Sequence, residues 1–553
     1  MIVLELILFF LSIIIVSIAI AGFGSLLSSK TVNNFFLDIC FGFIVISILI
    51  TTFHFFYEIE TFIKILILFI GLTIFFKKKN IVDYKLLIKK NIFFYLIIIG
   101  LLIPMFVSQK YHEDFGYYHL PYALTFLEEK IVFGFANINK TFVYNSIWLN
   151  LYPIFFLENQ NYNYLTFPSF LLFLSFIIFS IDKILKKEYS KISNYYLIIV
   201  LFYFLLKFTR ISEFGVDFPA TIFAILGIFY FIKFYETNKI IERKSFFYFN
   251  LSFSLFSILI KLSVLPLIIL PIYLYFSNFK KLKFHIFNLR FLCIYFLCLV
   301  FLIQQFFYTG CLFFPTNLTC FSVSWFNPDH LKFSKELELI NKSYSSAREI
   351  YSPEEYLKNF TWFLFWLKRN FTEISEHLIT IILPSLIFFT FLKKDKKKNY
   401  NIEKENFIYF FCLISLLFWL NFSPVMRFSI PFFVTIIFMI SYKFYIKKKF
   451  SKNIFIFFVS IFLIFNFSKN ILRINDTKKV FVGIQQIKNQ YLLNEVNSNE
   501  YANIYYPDIE KNKKNGWQGR LCWDIPFICS YNKLDISKKN GYFIVNKLKI
   551  NND

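Results

Sequence analysis

Two acids, two histidines and three tyrosines fall within eleven residues at Tyr111-His112-Glu113-Asp114-Phe115-Gly116-Tyr117-Tyr118-His119-Leu120-Pro121, directly after a long apolar run. The chain as a whole is only 17% charged, and ionisable groups beside an apolar span are costly enough to be kept for a task. An acid at such an edge, Asp114 or Glu113, is suited to take a proton as a general base. Three cations, Arg210, Lys261 and Arg427, each end an apolar stretch elsewhere, and cations of this kind meet a departing phosphate. Glu213 and Asp217 follow Arg210 in Arg210-Ile211-Ser212-Glu213-Phe214-Gly215-Val216-Asp217. Either would orient a substrate or, with Asp114, hold a divalent cation such as magnesium or manganese. His112 with Asp114 is a further candidate metal pair, and His119 a candidate substrate contact.

Each of these residues also has a plainer reading. Arg210 and Arg427 fit helix-end anchors whose charged heads reach for water. Asp114 with Glu113 fits an N-cap and a first-turn acid for a helix over 115–129. Tyr117 and Tyr118 fit an interfacial aromatic belt. His112 and His119 would share a helix face, but no third ligand follows at a diagnostic spacing. A lysine inside an apolar hairpin, as at Lys261, has fewer such roles. There is no phosphate-binding glycine loop, dinucleotide fingerprint, serine-hydrolase signature or heptad seam, which sets nucleotide-driven chemistry aside.

These residues must be positioned by membrane spans. The 553 residues are 57% hydrophobic, with 84 Phe, and the mean hydropathy is +0.57, above the range of soluble chains. The net charge of +24 sits in short Lys/Arg runs between apolar segments, a membrane-topology pattern and not a nucleic-acid-binding one. Apolar stretches at about 3–24, 35–57, 62–76, 91–108, 165–181, 195–209, 218–235, 247–260, 262–277, 291–308, 377–392, 405–422, 428–442 and 453–468 predict an all-α polytopic membrane protein of about fourteen helices. Basic loops at 77–90, 183–191, 239–244, 280–290, 393–404 and 443–452 are assigned to the cytoplasm, which turns every other connection outwards. Residues 247–277 then form a hairpin turning near Lys261. The apolar patch Ile147 to Leu157 lies in an outer loop as interfacial helix.

The division expected is a multi-pass domain over 1–468, with outer loops 109–164 and 309–376, followed by a small α/β extracytoplasmic domain over 469–553. Strands are predicted at 480–484, 502–506 and 542–545. Of eight cysteines, Cys40, Cys293, Cys298 and Cys412 lie in apolar spans. Cys311 with Cys320, and Cys522 with Cys529, form two close pairs in polar segments and read as disulfides on an oxidising face. That suits a bacterial inner membrane with the active face towards the periplasm. The amino terminus has no basic stretch before its apolar run and reads as a first span.

At Asp114, Tyr118-His119-Leu120-Pro121, Gly215-Val216-Asp217, Thr309-Gly310 to Pro315 and Pro424 to Arg427-Phe428, the chain resembles the GT-C class of polytopic membrane glycosyltransferases. More narrowly, Ser212 to Asp217 and Cys522-Trp523-Asp524-Ile525-Pro526-Phe527-Ile528-Cys529 resemble a little-characterised family of bacterial multi-pass proteins. The resemblance implies transfer of a sugar from a polyprenyl-phosphate carrier to a glycan or lipid acceptor on the outer face. The first-loop acid, Asp114, would be base or metal ligand; Glu113 directly before it departs from the pattern. Two other classes stand beside this one. An O-antigen-type polymerase or ligase would depend on outward arginines with no essential acid. A transporter or scaffold would carry polar residues near the bilayer midplane, whereas here they gather at the edges of spans.

Overall fold

The computed structural model describes residues 2–28, 34–77, 81–108, 114–156, 162–186, 192–209, 211, 215–282, 288–394, 405–446, 448–475, 493–498, 501–507, 510, 521–523, 525, 527–530 and 533–546. The apolar runs fold as helices because a chain surrounded by apolar groups must satisfy its own backbone polar groups. In order they are α1 (Ile2–Leu27), α2 (Phe35–His54), α3 (Thr61–Lys77), α4 (Ile81–Val107), α5 (Leu120–Glu128), α6 (Phe135–Ile138), α7 (Phe167–Leu185), α8 (Ile192–Lys207), α9 (Asp217–Glu236) and α10 (Ile240–Ile260). There follow α11 (Ile269–Ser277), α12 (Phe279–Leu282), α13 (Leu289–Thr309), α14 (Asp329–Asn341), α15 (Pro353–Leu357), α16 (Thr361–Thr390), α17 (Glu405–Phe422), α18 (Met426–Ile446) and α19 (Lys452–Asn475). Among the described residues, nine helices are long and apolar enough to cross a membrane, and three shorter apolar helices accompany them.

The bundle has an inside and an outside. Other parts of the protein bury 94% of the most apolar stretch of α7 and of α9, but only 28% of that of α16 and α17. The inner helices are apolar all round, and the outer ones turn an apolar face away from the protein. Close packing of α1, α2 and α3 depends on small residues. A Cβ on Gly42 would collide with the Ile20 carbonyl oxygen, and one on Gly22 with that of Gly71. Such contacts let helix backbones approach where lipid gives no hydrophobic drive.

The chain breaks where a hairpin is expected. Lys261 is extended (φ −154°, ψ 121°), and α11 folds back along α10, so that Phe247 meets Tyr275 with ring centres 6.4 Å apart.

The segment between α5 and α7 departs from expectation. Residues 147–156 do not lie along an interface; every one is buried. Trp148 inserts against Phe43, Phe223 and Phe256, and the Ile147 amide donates to the Leu259 carbonyl at 3.2 Å. The physical reason is that helices α2, α7, α9 and α10 leave an apolar space that this segment, a short 3-10 helix over Leu149–Phe155, fills. A hydrophobic patch of this kind is equally satisfied by lipid or by protein.

The C-terminal segments form two antiparallel pairs, β1 (Leu493–Ser498) with β2 (Asn503–Pro507), and β3 (Asp535–Lys539) with β4 (Tyr542–Asn546). Asn540 and Gly541, at φ 52° and 77°, make the tight turn between β3 and β4, where both central residues need positive φ. β2 and β4 fall where strands are predicted; 480–484 lies outside the described residues. β4 is seated on the segment before α6. The Phe133 amide donates to the Phe543 carbonyl at 3.0 Å, and the Val545 amide to the Phe133 carbonyl at 2.9 Å. α19 continues past 468 to Asn475.

Candidate functional site

Residues from four loop or helix-end segments meet at one end of the bundle. α9 begins at Asp217, where the helix N-terminus favours a carboxylate. The turn before it packs on the first polar loop. Gly215 has φ 48°, and a Cβ there would stand 2.5 Å from the His119 ring. Lys261 caps α10 at the hairpin turn. Arg427 is the second residue of α18, and the turn leading to it is pinned by two indoles. Trp366 Nε1 donates to the Pro424 carbonyl at 2.6 Å, and Trp419 Nε1 to the Val425 carbonyl at 2.8 Å.

Asp217 is the hub. Lys261 Nζ forms an ion pair with its Oδ1, and Arg427 Nε lies 2.8 Å from its Oδ2. The carboxylate is buried, at 8% exposure, whereas Lys261 and Arg427 keep 21% and 34%, so the cations form the open side of the cluster. Phe428 underlies both, with its ring centre 3.3 Å from Lys261 Nζ and 5.6 Å from the Arg427 guanidinium carbon. Asp114 acts electrostatically on Lys261, Arg427 and Tyr118. Burial first, then the charges of Asp114 and Asp217, hold the Tyr118 phenol well above its usual range. Tyr118 touches His119, with ring centres 4.2 Å apart.

The structure thus brings together Asp114, His119, Asp217, Lys261 and Arg427 from four separate parts of the chain. His112, Glu113, Arg210 and Glu213 lie outside the described residues. Two plainer readings lose ground. Asp114 makes no side-chain capping bond to the turn it precedes, and Arg427 faces an acid within the protein and not bulk water. Among the described residues no group of three or more His, Cys, Asp or Glu is placed to hold a metal ion. Both oxygens of Asp217 face cations, a donor set that does not suit a second, divalent charge.

Disulfides join Cys311 to Cys320 and Cys522 to Cys529. The second closes a loop that carries Trp523, a contact that sequence reasoning missed. Trp523 is wholly buried; its amide donates to the Gly116 carbonyl at 2.9 Å, and a Cβ on Gly116 would collide with its indole. Phe527 adds an amide hydrogen bond to Glu128 Oε2 at 2.7 Å. The sequence signal was a tryptophan directly beside a cysteine of a close pair.

The fold is a helical bundle carrying candidate membrane spans, with its charged residues gathered at helix ends. Residues 1–434 match the family model of a domain of unknown function, DUF8201. The chain belongs to that family. No curated protein and no solved structure matches it.

Proposed function

We propose that the protein is a membrane glycosyltransferase, moving a sugar from a polyprenyl-phosphate carrier to a glycan or lipid acceptor at the outer face of a bacterial inner membrane. The observation that carries this reading is the convergence of Asp114 with Lys261 and Arg427 around Asp217. Asp114 takes the proton of the acceptor hydroxyl as its oxygen bonds to the anomeric carbon. The bond from that carbon to the phosphate oxygen breaks, and the carrier phosphate leaves with the electron pair. Lys261 and Arg427 meet its charge. Asp217 holds both cations in place before the phosphate arrives, which is positioning and not proton transfer. The outward orientation is supported by the basic runs on the opposite connections and by two disulfides, which belong to an oxidising compartment.

The test is the surface-glycan profile of host cells carrying Asp114→Asn, Glu113→Gln or Arg427→Ala, with membrane insertion verified for each. Loss of one sugar with Asp114→Asn alone is the expected result and identifies the base. Intact glycans in both acid variants would overturn the enzyme reading.

A further inference from the structure

The turn that follows Asp114 needs donors that its own helix cannot supply. Pro121, the second residue of α5, has no N–H. It can answer neither the Tyr117 carbonyl four residues back, as an α-helix would, nor the Gly116 carbonyl five back, as a wider π turn would. Phe115–His119 is such a π turn, with the Leu120 amide donating to the Phe115 carbonyl. A proline ring presses on the carbonyl four residues before it, which favours the widening. Both carbonyls that Pro121 cannot serve take donors from outside the helix. Gly116 accepts from the Trp523 amide at 2.9 Å, and Tyr117 from Asn139 Nδ2 at 2.8 Å. Asn139 is itself fixed, because its Oδ1 accepts from the Thr141 amide at 3.0 Å and from the Thr141 hydroxyl at 2.8 Å.

Trp523 also fills the space beside the turn. A Cβ on Gly116 would stand 2.4 Å from an indole carbon. The loop that carries this tryptophan is moored at its other end. The Phe527 amide donates to Glu128 Oε2 at 2.7 Å, Ser530 Oγ to the Ile138 carbonyl at 3.0 Å, and the Tyr505 amide of β2 to the Ile528 carbonyl at 2.9 Å. The Cys522–Cys529 bond ties Trp523 to that moored end. A π turn holds one residue more than an α-helical turn, so tightening it would rotate whatever precedes it by about 100°. Asp114 directly precedes it. Its reach towards Lys261 and Arg427 therefore depends on which turn is formed.

We infer that the Cys522–Cys529 loop is a strap that keeps this turn wide, with Trp523 and Asn139 as positioning residues for Asp114. That Asp114 then serves as the base rests on the function proposed above; the positioning does not.

The experiment introduces Asp114→Cys into the full chain in nanodiscs and follows alkylation of that thiol by iodoacetamide against pH, read by peptide mapping. A thiol beside two cations ionises, and so reacts, at lower pH than a free one. Adding Trp523→Ala should move the profile up by about one pH unit, so that alkylation near pH 7 slows about tenfold. Trp523→Phe should keep the profile, because a ring still fills the space at Gly116. Cys522→Ser with Cys529→Ser should move it in the same direction as Trp523→Ala but less far, since the moorings at Phe527 and Ser530 remain. The peptide map also verifies that Cys522 and Cys529 stay joined in the other backgrounds. A profile unmoved by Trp523→Ala overturns the positioning, and one unmoved by the double serine change overturns the part given to the bond. Equal movement in the Ala and Phe variants would mark general loosening and overturns the positioning as well. No outcome depends on a sugar: intact glycans with Asp114→Asn would remove the proposed chemistry and leave the strap standing.

Discussion

Two clusters of buried polar side chains lie in this bundle, and they are built on opposite plans. In the interior, Tyr122 donates to Asn150 at 2.7 Å, Asn150 to Thr51 at 2.8 Å, Asn145 to Gln304 at 2.9 Å and Gln304 to Tyr308 at 3.1 Å. That network is neutral and closed: its members answer one another and none reaches the surface. The Asp217 cluster is charged and open, with the acid buried and the two cations partly exposed. Neutral closed networks fix one packing, whereas a charged cluster with an open side keeps unused capacity for a ligand. Burial of polar groups therefore does not single out a candidate site by itself; charge with access does.

The difference can be broken at either end. The largest effect is expected from Asp217→Ala, which strands two cations and should cost about 3–5 kcal/mol, read as a thermal melt in detergent. The product sugar should disappear as well. Asn150→Leu should cost about 1–3 kcal/mol, because it removes one buried partner from each of Tyr122, Thr51 and Gln304, yet sugar transfer per folded molecule should persist. If Asn150→Leu abolished transfer with stability intact, the contrast between the two clusters would fail. Gly116→Ala, which drives a methyl group into Trp523, should cost about 1–3 kcal/mol and shift the tryptophan emission, a change that a Trp523→Phe background should remove.

The smallest effect concerns pH. Burial raises the Glu129 carboxyl above its usual range, against an opposing pull from Lys538. The native state therefore holds that proton more tightly than the unfolded chain does. The contribution is complete below the ordinary carboxylate range and is lost as pH rises through the raised value. Glu129→Gln should then raise the melting temperature slightly near pH 7 and leave it unchanged near pH 4.

The helices were legible because an apolar run of sufficient length has few other fates, and the break at Lys261 because basic runs on both flanks predict two crossings there. The meeting of Asp114, Asp217, Lys261 and Arg427 followed from the same parity, which turns their connections to one face. Residues 147–156 were not legible. Hydrophobicity states that a segment avoids water and is silent on whether lipid or protein receives it. The gathering of Lys207, Lys469 and Arg473 was hidden for another reason: they stand on two separate helices, and only folding makes them neighbours. Trp523 against Gly116 is likewise a contact between distant parts of the chain, and no periodicity encodes it.

That last contact bears on how the protein is made. Translation delivers Gly116 well before Trp523, and through that interval the loop beside Asp114 has no lid on its glycine. Oxidation of Cys522 and Cys529 sets the shape of the piece that finally covers it. Completion of the site thus waits on residue 523 and on the Cys522–Cys529 bond, and a chain halted before that residue would leave Gly116 uncovered.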